Sequence, residues 1–162
     1  MIKFFTDYIE KRKNKKLIIK SEIERIKEIT PFIFIDFHAE ATAEKICMGK
    51  FVSELGCTAF VGTHTHVQTA DEKIINSTAY ITDVGFCGDD DGVIGMDYST
   101  SLKRFLDCLP ERYEVATGGK IRINAVEISA IDGKATDIKR FNFLVDNDKE
   151  MEASCENNDN ES

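Results

Sequence analysis

The chain has 162 residues, 42% of them apolar and 31% charged, with a formal net charge of -8. That length supports one domain with a real core, and that balance is typical of a soluble globular protein rather than a membrane or disordered one. No stretch approaches the roughly 20 apolar residues of a transmembrane helix. The start, MIKFFTDYIEKRKNKK, has neither the apolar core nor the cleavage site of a signal peptide, so a cytoplasmic location is expected.

Charge is uneven along the chain. Residues 1–30 carry nine Lys/Arg against five acids, and the tail from Asp146 carries seven acids against one lysine. KRKNKK at 11–16 reads as a solvated helix end or linker rather than an extended nucleic-acid surface, because the net charge is negative and no aromatics interleave. The polar tail 146–162 is expected to be disordered. Five cysteines (Cys47, Cys57, Cys87, Cys108, Cys155) form no C-x-x-C pair and are expected as reduced, mostly buried thiols.

In chain order, residues 1–30 are expected as an N-terminal helical segment, residues 31–145 as the folded domain and residues 146–162 as the tail. SEIERIKEI at 21–29 predicts a short amphipathic helix with Ser21 as N-cap and Glu24 three residues on. PFIFIDF at 31–37 is a continuous apolar run, the mark of a strand buried on both faces. ATAEKICMGKFVSEL predicts a helix with Cys47, Phe51 and Leu55 on one stripe and Gly56 as its stop. TAFVG at 58–62 completes a βαβ unit.

TAYITDV at 78–84 predicts a third strand and 85–97 a glycine-rich loop. Ser99 or Thr100 is placed to cap a helix through Cys108, which Pro110 stops. RYEVAT, KIRINAVEISAI and KATDIKRFNFLV, separated by GG and DG, predict a three-stranded antiparallel meander. The expected fold is mixed α/β with an antiparallel end.

The chain holds three histidines: His38, His64 and His66. Each falls at the carboxyl end of an expected strand, where open α/β sheets bind ligands. If the chain stays extended, His64 and His66 share a face, since side chains alternate with period 2. A histidine at a strand end is most often an ordinary hydrogen-bonded residue. A His-x-His pair with a third imidazole from a neighbouring strand favours a zinc, iron or manganese site. Asp36 and Glu40, each two residues from His38, are candidates to ligate or to orient an imidazole, with a strand-end hydrogen bond and a helix-start carboxylate as the plainer roles. Asp83 and Asp89 to Asp91 are candidate substrate-loop residues or simple turn formers.

IFIDFHAEAT, VGTHTHVQTAD and AYITDVGFCGDDDGVIGMD resemble, in order and spacing, the C-terminal half of the YmdB-like family of calcineurin-type metallophosphoesterases, over residues 31–145. The resemblance implies half of a four-layer α/β sandwich and a phosphodiesterase activity with 2′,3′-cyclic nucleotides as a substrate class. It implies two divalent transition metal ions (Fe, Mn or Zn), with His38 and His64 matching ligands of one and His66 a ligand of the other. The family's aspartate, bridging glutamate and G-N-H motif lie in its first half, and residues 1–30 hold no histidine and no glycine. No catalytic acid is therefore expected in this chain, and at most a partial metal site.

A two-metal phosphoesterase holds its ions about 3.5 to 4 Å apart and uses a bound water whose pKa has fallen to about 7. Three neutral imidazoles supply no anionic bridge, and a missing leaving-group acid is worth about 10² to 10⁴-fold. An N-terminally truncated, weakly active phosphodiesterase is the leading expectation. It would be completed by a complementary N-terminal half or a homo-oligomer, with no membrane partner. The alternative is a non-catalytic metal-binding or partner-interaction module. An amidohydrolase barrel, whose first strand also ends in His-x-His, needs about 250 residues and is excluded.

Overall fold

The computed structural model describes residues 18–107, 112 and 114–146. The basic run at 11–16, the acidic tail beyond 146, Cys108, Pro110 and Cys155 lie outside them. The elements are helix α1 over residues 18–27, β1 (Phe34–His38), α2 (Thr42–Glu54), β2 (Ala59–Thr63), β3 (Lys73–Ile75), β4 (Thr78–Ile81), β5 (Gly88–Asp89), α3 (Tyr98–Asp107), β6 (Lys120–Ile131) and β7 (Lys134–Asp146). The mixed α/β expectation holds: one sheet has the order β1-β2-β4-β3, the other β5-β6-β7. The chain divides into two compact units. Among the described residues, the first comprises 18–62, 71–82 and 128–138, and the second 63–70, 83–107, 112, 114–127 and 139–146.

In the first unit β2 and β4 run parallel, with Ala59 opposite Ala79 and Val61 opposite Ile81, and every residue of these pairs is buried. Both strands read as unbroken apolar runs because both faces are covered. Phe60 stacks on Tyr80 with ring centroids 5.6 Å apart, and the core around them takes in Ile23, Ile33, Val52 and Cys57. Gly62 is required here by close approach, since a Cβ would lie 1.8 Å from the Thr82 carbonyl oxygen. Burial raises the Cys57 thiol pKa, opposed by the charge of Lys27, as befits an inert buried cysteine.

Several local expectations change. Residues 18–20 are already helical and the Ser21 hydroxyl donates back to the Ile18 carbonyl at 3.0 Å, so Ser21 sits within α1 and is no cap. β1 is not buried on both faces: Ile35 and Phe37 pack against the core while Phe34, Asp36 and His38 are exposed. The inward stripe of α2 is Lys45, Gly49, Val52 and Ser53, one step around from the expected one, so Cys47 is exposed while Phe51 and Leu55 are half-buried. Gly56, at φ 71, does stop this helix. Cys87 is exposed too, and Cys57 is the buried cysteine among the described residues.

A strand unforeseen in the sequence, β3, pairs antiparallel with β4 through a two-residue turn at Asn76 and Ser77, both at positive φ. In the second sheet the Asp132–Gly133 turn joins β6 and β7 as expected. RYEVAT does not supply the third strand. That place is taken by β5, antiparallel to β6, while Val115 makes only an isolated bridge to Met96. The amides of Gly118 and Gly119 bind the Asp89 carboxylate instead of forming a hairpin turn. No described helix is long and apolar enough to cross a membrane.

Candidate functional site

β2 ends at Thr63, and the backbone then leaves the extended region: His64 has φ 134 and His66 φ 62. The alternation that would have put both imidazoles on one face therefore stops short of them. Positive φ costs a residue with a Cβ about 1 to 3 kcal/mol, and such strain persists only where surrounding contacts hold it. The contacts are here. The Asp83 carboxylate, fully buried, accepts the Thr65 amide at 2.9 Å through one oxygen and the Gly85 amide at 3.0 Å through the other. The Asp83 backbone exchanges hydrogen bonds with Thr69, accepting from its amide at 3.0 Å and donating to its hydroxyl at 2.9 Å. Asp83 is thus the tie between the loop after β2 and the loop after β4, which sequence placed only as a candidate loop acid.

His66 is half-buried, its ring stacked on Phe86 at 5.8 Å, and its Nδ1 lies 2.9 Å from the Ile94 carbonyl. A carbonyl only accepts, so Nδ1 carries the proton and Nε2 of the neutral ring keeps a free lone pair. Metal-binding histidines commonly pin their second nitrogen on a carbonyl in this way. The donor chemistry of His66 thus fits a divalent metal. The number of donors does not: among the described residues no group of three or more His, Cys, Asp or Glu converges on a point that could hold an ion. His64 is exposed, as are His38, Asp36 and Glu40. His38 belongs to the first unit, and His64 and His66 to the second.

Two acids of the glycine-rich loop, Asp89 and Asp90, bind other residues of the second unit. Asp89 is buried and accepts amides from Asp91, Gly118 and Gly119. Asp90 binds the Arg122 guanidinium through both carboxylate oxygens; those hydrogen bonds, then the charge of Arg122, lower its pKa. Asp97, not Ser99 or Thr100, caps α3. Its carboxylate accepts the Ser99 hydroxyl and the Thr100 amide and hydroxyl at 2.6 to 2.8 Å, and these bonds push its pKa down to about 2. A sequence signal for this existed, since Asp lies three residues before Thr100 in the order of an N-cap.

The same loops line a cavity of about 300 Å³ in the second unit, with His66, Gln68, Phe86, Arg122 and Asn124 in its wall. Sequence reasoning missed Gln68, Arg122 and Asn124, because single polar residues in a loop and a long strand carry no local signature.

A sequence model described as YmdB-like protein matches residues 9–141. The chain belongs to the YmdB-like family. The match starts well ahead of residue 31, where the folded domain was expected to begin. A 2′,3′-cyclic-nucleotide 2′-phosphodiesterase of Bacillus subtilis (strain 168) is 49% identical over 120 residues, covering 74% of this chain and 45% of that protein. Two solved structures share the fold. One is a phosphatase from Mycoplasma pneumoniae, with TM-score 0.70 and 30% identity over 85% of this chain and 49% of that one. The other is a hypothetical protein from Thermus thermophilus, with TM-score 0.69 and 32% identity over 77% of this chain and 50% of that one. The chain thus spans less than half of the curated YmdB-like relative and about half of the solved ones. Named relatives of the family are phosphodiesterases and phosphatases, which puts the chain in a phosphoesterase family.

Proposed function

We propose that the chain contributes to a metal-dependent phosphodiesterase acting on a 2′,3′-cyclic nucleotide or a related phosphodiester. The observation that carries this reading is His66, an imidazole at positive φ whose Nδ1 proton is committed to the Ile94 carbonyl, in a chain of the YmdB-like family. His38, His64 and His66 are the proposed ligands of divalent transition metal ions (Fe, Mn or Zn). Bound, such ions would supply an activated water and stabilise charge on the phosphoryl group. The chain's own part is to position: Asp83 ties the loop carrying His64 and His66, and Ile94 fixes the tautomer of His66.

The described residues hold no cluster of donors that would make a centre by themselves. We therefore expect these 162 residues alone to turn over barely above a metal blank. A segment carrying carboxylate ligands, from a complementary half or a second copy, would complete the site.

Calorimetry with Zn²⁺ or Mn²⁺ tests the ligands. His64→Ala and His66→Ala should each weaken binding roughly tenfold or more, on the scale of lost metal-site contacts. Equal affinity in wild type and both variants sinks the proposal. Turnover is tested with bis-p-nitrophenyl phosphate, alone and with a separately expressed N-terminal half of a longer relative. Restored hydrolysis that vanishes with His66→Ala supports the enzyme. Metal binding without turnover, even with the added half, leaves the non-catalytic metal-binding module as the function.

A further inference from the structure

The turn between Val93 and Met96 holds an isoleucine where the backbone disfavours one. Val93 and Met96 exchange backbone hydrogen bonds at 2.7 and 3.0 Å across Ile94 and Gly95, whose φ values of 48 and 91 suit a type I′ turn. Glycine, asparagine and aspartate dominate the centre of that turn, and a β-branched residue at positive φ is a genuine outlier. Burial does not compensate Ile94, which is 48% exposed. Its carbonyl meets His66 Nδ1 at 2.9 Å, but that bond uses backbone alone and any residue at 94 would make it. The turn therefore has no use for the apolar side chain it carries, and strain of this kind gathers where ligands are held.

Ile94 lines a cavity of about 550 Å³ in the second unit, together with His66, Val93, Met96, Arg104 and Phe105. The volume falls within the roughly 300 to 1,000 Å³ of small-molecule sites. Phe105, on α3, is 80% exposed, so an aromatic side chain and the Ile94 side chain are both open to an incoming group. Among the described residues no aspartate or glutamate lines this cavity, while Arg104 does, so an anion entering it meets a cation and no carboxylate. In the cavity of about 300 Å³, by contrast, Arg122 is held by both carboxylate oxygens of Asp90. A flat apolar ring joined to an anion matches the larger cavity on both counts, and that is the chemistry of a nucleotide.

We propose that this cavity receives the nucleoside end of the substrate, with the base packed on Ile94 and Phe105 and the phosphate toward Arg104. The inference rests on the phosphodiesterase reading for its substrate class. It gives the strained isoleucine a role in binding that the turn itself does not require.

The test is adenosine 3′-monophosphate added to the full chain without metal, followed by methyl and aromatic chemical shifts. The Ile94 and Met96 methyls and the Phe105 ring should shift. Ribose 5-phosphate, which lacks the base, should bind at least about fivefold more weakly, the scale of one base stacked on an aromatic ring. Phe105→Ala should cost the nucleotide about the same factor, and the exposure of this side chain keeps the variant folded. Arg104→Gln should bring adenosine 3′-monophosphate down toward the affinity of adenosine.

Ile94→Asn is the decisive variant, because asparagine tolerates the turn's positive φ. Its urea midpoint should rise while nucleotide binding weakens at least about threefold, since apolar contact with the base is lost. An isoleucine retained for the fold would give the opposite pair, a lower midpoint and unchanged binding. That result, no shift with the nucleotide, equal binding of ribose 5-phosphate, or an Arg104→Gln variant that keeps the full gap to adenosine would each overturn the assignment. Shifts at Ile94 and Phe105 that follow protein concentration instead of nucleotide would also overturn it and assign the surface to a second copy of the chain. Hydrolysis in the reconstituted system tests the phosphodiesterase reading separately. Nucleotide binding without hydrolysis removes that reading and keeps the cavity, and hydrolysis without a nucleotide response at Ile94 and Phe105 does the reverse.

Discussion

The paired strands β2 and β4 and the loops that follow them are built by different means. Between Ala59 and Val61, and between Thr78 and Ile81, no residue is exposed, and the packing of Phe60 on Tyr80 is characteristic of the whole region. From His64 to Ala70 and from Asp83 to Asp97 order comes from side chains bound to backbone amides and carbonyls: Asp83 to Thr65 and Gly85, Asp89 to Asp91, His66 to Ile94. Apolar packing is non-directional and tolerates any chain of the right volume, whereas a carboxylate on two amides fixes the path of a loop atom by atom. Of the six described non-glycine residues at positive φ, His64, His66 and Ile94 lie in that second region, while Asn76, Ser77 and Asp132 sit in two-residue hairpin turns. Strain of this kind needs directional anchors, and the loops supply them.

Substitutions should separate the two kinds of order. The largest effect is expected from Phe60→Ala, which empties the centre of the first core. About 3 to 5 kcal/mol should be lost in urea unfolding, while the chemical shifts of His66 and Phe86 in the surviving folded protein should stay close to wild type. Large shift changes at His66 would show that the loops depend on the strand core.

Asp83→Asn keeps the volume but places an amide nitrogen against one of two backbone donors. A buried donor left without an acceptor costs about 1 to 3 kcal/mol. Hydrogen exchange at Thr65 and Gly85 should speed up more than exchange at Phe60 or Tyr80. Uniform acceleration across both regions would contradict the anchoring role of Asp83.

Asp97 gives a smaller, pH-dependent effect. Its folded pKa of about 2 lies below the ordinary aspartate value, about 3.9, so its stabilisation of α3 is complete above the unfolded value and is lost as pH falls through the folded one. Asp97→Asn, which also caps helices, should be close to wild type at neutral pH and should lose the α3-specific part of the acid transition. A carboxyl titration of Asp97 midway at the ordinary value would refute the capping geometry. The smallest effect is expected from Glu22→Gln, because the Glu22–Arg25 pair on α1 is exposed to water and screened. Its urea midpoint should match wild type within error.

Sequence alone was sufficient where a residue's chemistry acts over short range or through strict period. TAFVG and TAYITDV announced the second and third expected strands, Gly56 announced the end of α2, and Asp132–Gly133 announced the long hairpin. The three histidines and their spacing, with the motifs around them, were enough to place the chain in the YmdB-like family. Period failed where one apolar run had two different surroundings: PFIFIDF reads as buried throughout, yet Ile33, Ile35 and Phe37 meet the core while Phe32, Phe34 and Asp36 are exposed.

Tertiary structure decided the rest, because the deciding contacts join residues far apart in the chain. The imidazoles of His64 and His66 leave the strand's alternation because Asp83, 18 residues beyond Thr65, takes its amide. The nearby GG pair is drawn away from a hairpin by Asp89, 29 residues before Gly118. The tautomer of His66 is set by a carbonyl 28 residues on. A hydrogen bond depends on distance and direction in space, and sequence spacing carries neither once the partners lie in different elements.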